Sequence, residues 1–213
     1  MTAHVVWDRH QLFHEFDVPA AAFTNFMESL EEGYLRSSPY HNSVHAADVL
    51  HSLHCLLLGG LVEVAGLSKL EVFAALLAAA MHDFRHPGRT NAFLVNGSHA
   101  LALTYNDQSV LESLHTAEAF KLMGHEGMRL LDRVELEERR ALRKQVIGMV
   151  LATDMTKHNR HLEEFQKHVL NGPAWNCAAC NATVRHTTPL GSGMRCGIWH
   201  DVVGSCMMWW DLA

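Results

Sequence analysis

Two short stretches place histidines and an aspartate at spacings that metal chemistry uses. In YHNSVHAADV, residues 40–49, His41 and His45 stand four apart, so a helix there would project both imidazoles from one face. In HDFRHPG, residues 82–88, His82 and Asp83 are adjacent, and the apolar run VFAALLAAAM, residues 72–81, leads into them. An adjacent His and Asp at a helix end can chelate one cation, and the second carboxylate oxygen can bridge to another. Two bridged cations activate water against a phosphorus ester and stabilise both the attacking and the leaving oxygen. Ionisable groups at the end of a nearly all-apolar helix need partners, and metal ions supply them. HxxxH alone, or His-Asp alone, is common by chance; the two together point to a metal-dependent hydrolase. The chain holds 17 histidines. Those outside such spacings, His4, His10, His14, His51, His99, His125, His161 and His168, are expected at the surface.

Helices must position these groups. Phe13, Phe16, Val18, Phe23, Phe26, Met27 and Leu30 recur at three- and four-residue intervals, which predicts an amphipathic helix pair ended by Pro39. A second periodic segment covers 41–58, and Gly59, Gly60 and Gly66 mark a loop. Ser68 with Glu71 three residues on is a capping-box signature opening the apolar helix to Met81. A helix apolar all round belongs inside a bundle. Pro87-Gly88 breaks it, 91–95 reads as a short helical turn, and Asn106-Asp107 caps a segment over 109–123. A longer pattern spans 130–170, with the charged cluster 135–144 on its outer face. No alternating strand pattern is present, so the fold class is all-α. From Asn171 the character changes: four of the 5 Cys and four of the 5 Trp lie there. The chain therefore divides into a helical domain, 1–170, and a divergent, poorly ordered tail, 171–213. Cys177, Cys180, Cys196 and His200 in that tail could close a small zinc site, on the weak basis of one CxxC.

The bulk composition fits one soluble core: 213 residues, 48% hydrophobic and 19% charged. A formal charge of -6 with scattered Lys and Arg speaks against nucleic acid as a partner. Residues 1–17 lack an apolar leader core, and the run 72–81 is too short to span a bilayer. A cytoplasmic protein without a membrane span is the expectation.

The wording around the two pairs resembles the class I cyclic-nucleotide phosphodiesterases. The matching stretches are residues 40–49, AAAMHD at 78–83, HPGRTNAFL at 86–94, YNDQSVLE at 105–112 and LATDMTKH at 151–158, in family order. The resemblance implies the N-terminal part of an all-α, HD-type catalytic bundle. It implies hydrolysis of a 3′,5′-cyclic nucleotide, cAMP or cGMP or both, to the 5′-monophosphate. AAAMHD and HPGRTNAFLV are most similar to the cAMP-hydrolysing or dual-specificity branches. Two divalent ions are implied, zinc in the tighter site and magnesium or manganese in the second. Residue by residue, His41 is similar to the general acid that protonates the O3′ leaving group. His45, His82 and Asp83 resemble ligands of the tighter site, with Asp83 also bridging to the second ion. His86, Glu112 and Thr153 match residues that hold the second ion's waters. Tyr40 and Met155 match positions lining the substrate pocket, where His41 and Asp83 also face the nucleotide.

Three departures stand out. Arg85 occupies a position that is usually acidic or small, placing a cation beside a cation site. Leu114 stands where a His commonly precedes His115. Beyond Leu170 the resemblance implies further helices, carrying an Asp that completes the first metal site and a Gln and Phe that clamp the purine; 171–213 contains no matching motif. Slow or absent turnover by this chain is therefore expected. The rival from another class is a catalytically silent chain that binds metal or forms a homo- or heterodimer with a full-length relative. A different metal-dependent nucleotide hydrolase is the third reading.

Overall fold

Ser68 and Glu71 start the element on which the rest is built. Ser68 Oγ accepts from the Glu71 amide at 3.2 Å, and the Glu71 carboxylate accepts from the Ser68 amide at 2.8 Å, completing the predicted capping box. The helix that follows, Lys69–Met81, is buried at every position from 72 to 81. Ala74, Ala75, Ala78, Ala79 and Ala80 give it slim faces, against which neighbouring helices can lie closely.

The computed structural model describes residues 3–171, 174–177 and 182–185. In chain order the helices are α1 (Ala3–Arg9), α2 (Leu12–Glu15), α3 (Ala20–Gly33), α4 (Ser43–Leu56), α5 (Val62–Ala65) and α6 (Lys69–Met81). They continue with α7 (Asn91–Asn96), α8 (Ala100–Thr104), α9 (Val110–Met123), α10 (Leu136–Ala152) and α11 (His158–Asn171). Helix α6 is the axis of the bundle, flanked by α4 and α10, while α3 packs on α9. Trp7, Phe16, Phe23 and Phe73 seal one end, with the Trp7 and Phe23 rings 5.0 Å apart and Phe16 and Phe73 5.2 Å apart. A smaller apolar cluster, Leu94, Ala102, Val110 and Leu111, sits under α7, α8 and the start of α9. This is the all-α bundle the periodicity predicts.

The structure refines the sequence reading in three places. Gly59 and Gly60 do interrupt the helix, but as a kink rather than a long loop: within the turn Leu57–Leu61, Gly60 leaves helical geometry at φ 107, and helix resumes at Val62. A positive φ is open to glycine without the cost a side chain would add, so the kink falls where the sequence places one. The resulting run Ser43–Ala65, 23 residues of mean hydropathy 1.4, is long and apolar enough to cross a membrane by length and composition. Its Ala46, Val49, Leu50, Leu53 and Leu57 side instead joins the core of the bundle.

The pattern over 130–170 is not one helix. It breaks after Ala152, where the Asp154 side chain accepts from the Thr156 amide at 3.0 Å and caps the 3₁₀ turn Met155–Lys157. A side-chain acceptor competing for the backbone is the usual way an Asp interrupts a helix. Beyond α11, Ala174–Cys177 (β1) pairs antiparallel with Ala182–Arg185 (β2), in the register Ala174↔Arg185 and Cys177↔Ala182. Four-residue strands are too short to leave a countable alternation in sequence. The remainder of the tail expected to be poorly ordered, and the Cys177–His200 set, lie outside the residues whose side chains are described.

Candidate metal centre

The Asn42 side chain caps α4, accepting from the amides of Val44 at 3.0 Å and His45 at 3.3 Å. This sets His45 in the first turn and leaves His41 just before the helix. The two rings therefore do not share a helical face as the spacing predicts; they lie 6.1 Å apart at 85°. The cap wins because it satisfies amides that the helix start leaves without partners. Across from them, α6 ends at Met81 and the chain turns through His82, Asp83 and His86, with Phe84 N–H donating to Met81 O at 3.1 Å and His86 N–H to Asp83 O at 3.0 Å. Buried Tyr34 pins this turn, its hydroxyl donating to Ala80 O at 2.9 Å and accepting from the Asp83 amide at 3.4 Å.

The predicted ligands meet. His45 Nε2 is 3.2 Å from His82 Nε2 and 3.5 Å from Asp83 Oδ2, and His82 Nε2 is 3.3 Å from the same oxygen. Asp83 Oδ1 faces away toward His115 Nε2 at 3.6 Å. Two donor sets result, His45–His82–Asp83 and Asp83–His86–His115, each with its ligand atoms within 4.8 Å of one another. One carboxylate belongs to both sets. That is the arrangement a pair of bridged cations requires.

The protons decide whether cations fit. His82 Nδ1 donates to Ala79 O at 3.0 Å and His115 Nδ1 to Phe84 O at 2.7 Å. A carbonyl only accepts, so each ring in its neutral form keeps its proton on Nδ1 and turns the Nε2 lone pair toward Asp83. His115 is neutral near pH 7, because burial lowers it to about 4 against the opposing pull of Asp83. Burial alone would raise the Asp83 carboxyl; His82 first, then His115 and His41, reverse this and hold it well below the usual carboxylate range. Asp83 Oδ2 is buried and accepts no hydrogen bond. A buried carboxylate facing lone pairs is costly without a positive charge between them. The mixed His and carboxylate donor set fits a divalent metal ion.

The other predicted residues lie around this pair of sets. His86 Nδ1 accepts from the Gly88 amide at 3.0 Å, which leaves Nε2–H to donate to an oxygen, and its ring stacks on His41 at 3.9 Å and 14°. Tyr40 is 39% exposed with its ring 4.6 Å from that of His45. On α9, Glu112 is buried and receives both Asn91 Nδ2 contacts, at 3.2 and 3.0 Å. Burial pushes the Glu112 carboxyl up to about 7 against those hydrogen bonds, with Asp154 and Asp83 adding to the rise. Thr153 is buried and gives its hydroxyl to Val150 O at 2.7 Å, while Met155 is 44% exposed on the 3₁₀ turn. Thr153 and Met155 thus stand near the end of α10 and make no hydrogen bond or ion pair with the histidine–aspartate cluster.

A model of the 3′,5′-cyclic nucleotide phosphodiesterase family matches residues 40–197. The chain belongs to this family. The matched span includes every residue of this site except Tyr34, and it runs past residue 170 into the tail. A 3′,5′-cyclic-AMP phosphodiesterase of Drosophila melanogaster, isoform F, is 44% identical over 167 residues, 78% of this chain and 25% of the relative. A 3′,5′-cyclic-AMP phosphodiesterase 4 of Dictyostelium discoideum is 40% identical over 156 residues, 73% of this chain and 15% of the relative. The chain thus spans a quarter or less of the length of these curated relatives. The phosphodiesterase domain of Salpingoeca rosetta rhodopsin phosphodiesterase superposes with a TM-score of 0.82 at 29% identity, covering 98% of this chain and 58% of that one.

Within this phosphodiesterase bundle, three functional positions escaped the sequence reading. His115 was named only as the neighbour of Leu114 and given no role, yet it stands three residues after Glu112 in α9, a spacing that shares one helix face. Asn91 lay inside a recognised motif with no role given to it. Tyr34 carried no signal, since its role depends on a carbonyl 46 positions away in sequence. Among the histidines expected at the surface, His10 and His161 are buried instead. His10 Nε2 hydrogen-bonds His54 Nδ1 at 3.0 Å, so a partner on another helix accounts for its burial.

Proposed function

We propose that this chain supplies the metal-binding and acid side of a site that hydrolyses a 3′,5′-cyclic nucleotide to the 5′-monophosphate, with cAMP the first candidate because the matched relatives are cyclic-AMP phosphodiesterases. The observation that carries this reading is Asp83, one buried carboxylate that belongs to two sets of possible metal ligands. His45, His82 and Asp83 would hold a zinc ion, and Asp83 the second ion, magnesium or manganese. Bound cations would supply water activation and charge neutralisation at phosphorus.

The remaining steps belong to the chain. His41, outside the α4 cap and stacked on His86, is free of the buried donor set and can bring a proton to the departing O3′. His86, with its Nδ1 taken by the Gly88 amide, and Glu112, clamped by Asn91, suit hydrogen bonding to waters around the second ion. Tyr40 and Met155, both substantially exposed, suit the mouth where a nucleotide enters.

The test is differential. Purified chain supplied with zinc and magnesium is assayed against cAMP and cGMP. Turnover is expected to lie below roughly 1 per second, since no purine clamp matches in the chain. Whatever metal-dependent rate is present falls by about 10²–10⁴-fold in His41→Ala with zinc content unchanged. A metal-dependent rate indifferent to His41→Ala would contradict the proposal. Retained zinc with no measurable hydrolysis of either nucleotide would favour the silent reading.

A further inference from the structure

Arg85 does not face the cations its position suggested. Its guanidinium pairs with the Glu118 carboxylate on α9, while the other Glu118 oxygen receives Lys121 Nζ at 2.7 Å. Its backbone sits at φ 60, the left-handed region a side chain enters at a cost that glycine avoids. Arg85 is a central residue of the turn closed by the His86 amide on Asp83 O, between two members of the second donor set. The same turn is tied to α9 one residue earlier, by His115 Nδ1 donating to Phe84 O. Two successive residues thus fasten the turn to the helix that carries Glu112 and His115.

We propose that the Arg85–Glu118 pair is a clasp that sets the distance from Asp83 and His86 to His115, making Arg85 a positioning residue for the second divalent cation. The inference rests on the metal reading above. Its mechanical character gives it a signature that charge alone cannot imitate. Removing a cation beside a cation site should tighten metal binding if Arg85 acts only through its field, and removing the Glu118 anion should weaken it. A clasp predicts weakening in both cases.

Mn²⁺ is titrated into the full chain already loaded with zinc, following free Mn²⁺ by electron paramagnetic resonance, for wild type, Arg85→Gly, Glu118→Gln and the double variant. Glycine at 85 removes the clasp without backbone strain. The expected result is a loss of Mn²⁺ affinity of about 2–5-fold in each single variant, the range for a partly exposed ion pair. The double variant should lose no more than either single one, zinc content should stay at the wild-type value, and the effect should shrink at high salt. Tighter Mn²⁺ binding in Arg85→Gly, additive losses, or parallel loss of zinc and thermal midpoint would each overturn the clasp. A wild-type chain that binds zinc but no Mn²⁺ would also overturn it while leaving the first donor set standing; a chain that binds neither ion would overturn the metal reading itself.

Discussion

Asp83 is a buried carboxylate toward which His82 and His115, in their neutral forms, turn Nε2 lone pairs, so a cation between them would balance its charge. Its pose depends on residues that never touch a ligand. Phe84, next in sequence and almost fully buried, lies so close to Gly33 that a methyl group there would fall inside its ring. Gly33→Ala should therefore push the Phe84 ring, cost about 1–3 kcal/mol of stability, and weaken zinc retention through the adjacent carboxylate. Urea unfolding and zinc analysis would check this; unchanged values in both would contradict it.

A second residue-scale prediction concerns acid. Burial first, then the charges of His54, Lys69 and Arg9, lower His10 from 6.5 to about 4. The unfolded chain thus binds the proton that the folded chain refuses, so this contribution to stability is full above pH 6.5 and is lost as pH falls toward 4. The loss is at most about 1.4 kcal/mol per pH unit for one proton. His10→Gln should show a shallower decline of urea midpoint over that interval than wild type, and equal slopes would refute the assignment. His82 and Asp83 were legible as an adjacent pair, while His45 was legible through the resemblance of residues 40–49, since spacing alone paired it with His41. His10, His54 and His115 were not, since burial and partners across the fold decide their state.

At the scale of elements, α6 was the most legible part of the chain. Its cap and its apolar length are both local, and each is present in the structure. Ser68→Ala removes the cap acceptor for Glu71 and should cost about 1 kcal/mol, read as a lower urea midpoint with an unchanged slope. A change indistinguishable from zero would mean the cap is idle. The kink at Leu57–Leu61 and the break at Asp154 were not fully legible for a common reason: local signals named the residues correctly but not the competition. Gly60 reads as a break and kinks the chain as read, but its local signal does not say that helix resumes two residues later. Asp154 reads as helix unless Ser109 reaches it, as it does at 2.7 Å from 45 residues away.

At the scale of the molecule, the bundle exists to bring the start of α4 against the end of α6. The axial helix is slim with alanine, so α4 approaches closely, and α9 closes the far side with Glu112 and His115. The most direct measurement is zinc content after dialysis for wild type and the alanine variants of His41, His45, His82 and Asp83. Wild type and His41→Ala should retain zinc nearly equally, since His41 lies outside the first donor set. His45→Ala and His82→Ala should lose much of it, and Asp83→Ala most, because it removes the shared anionic ligand. A His41→Ala protein that loses its zinc beside an Asp83→Ala protein that keeps it would contradict the account.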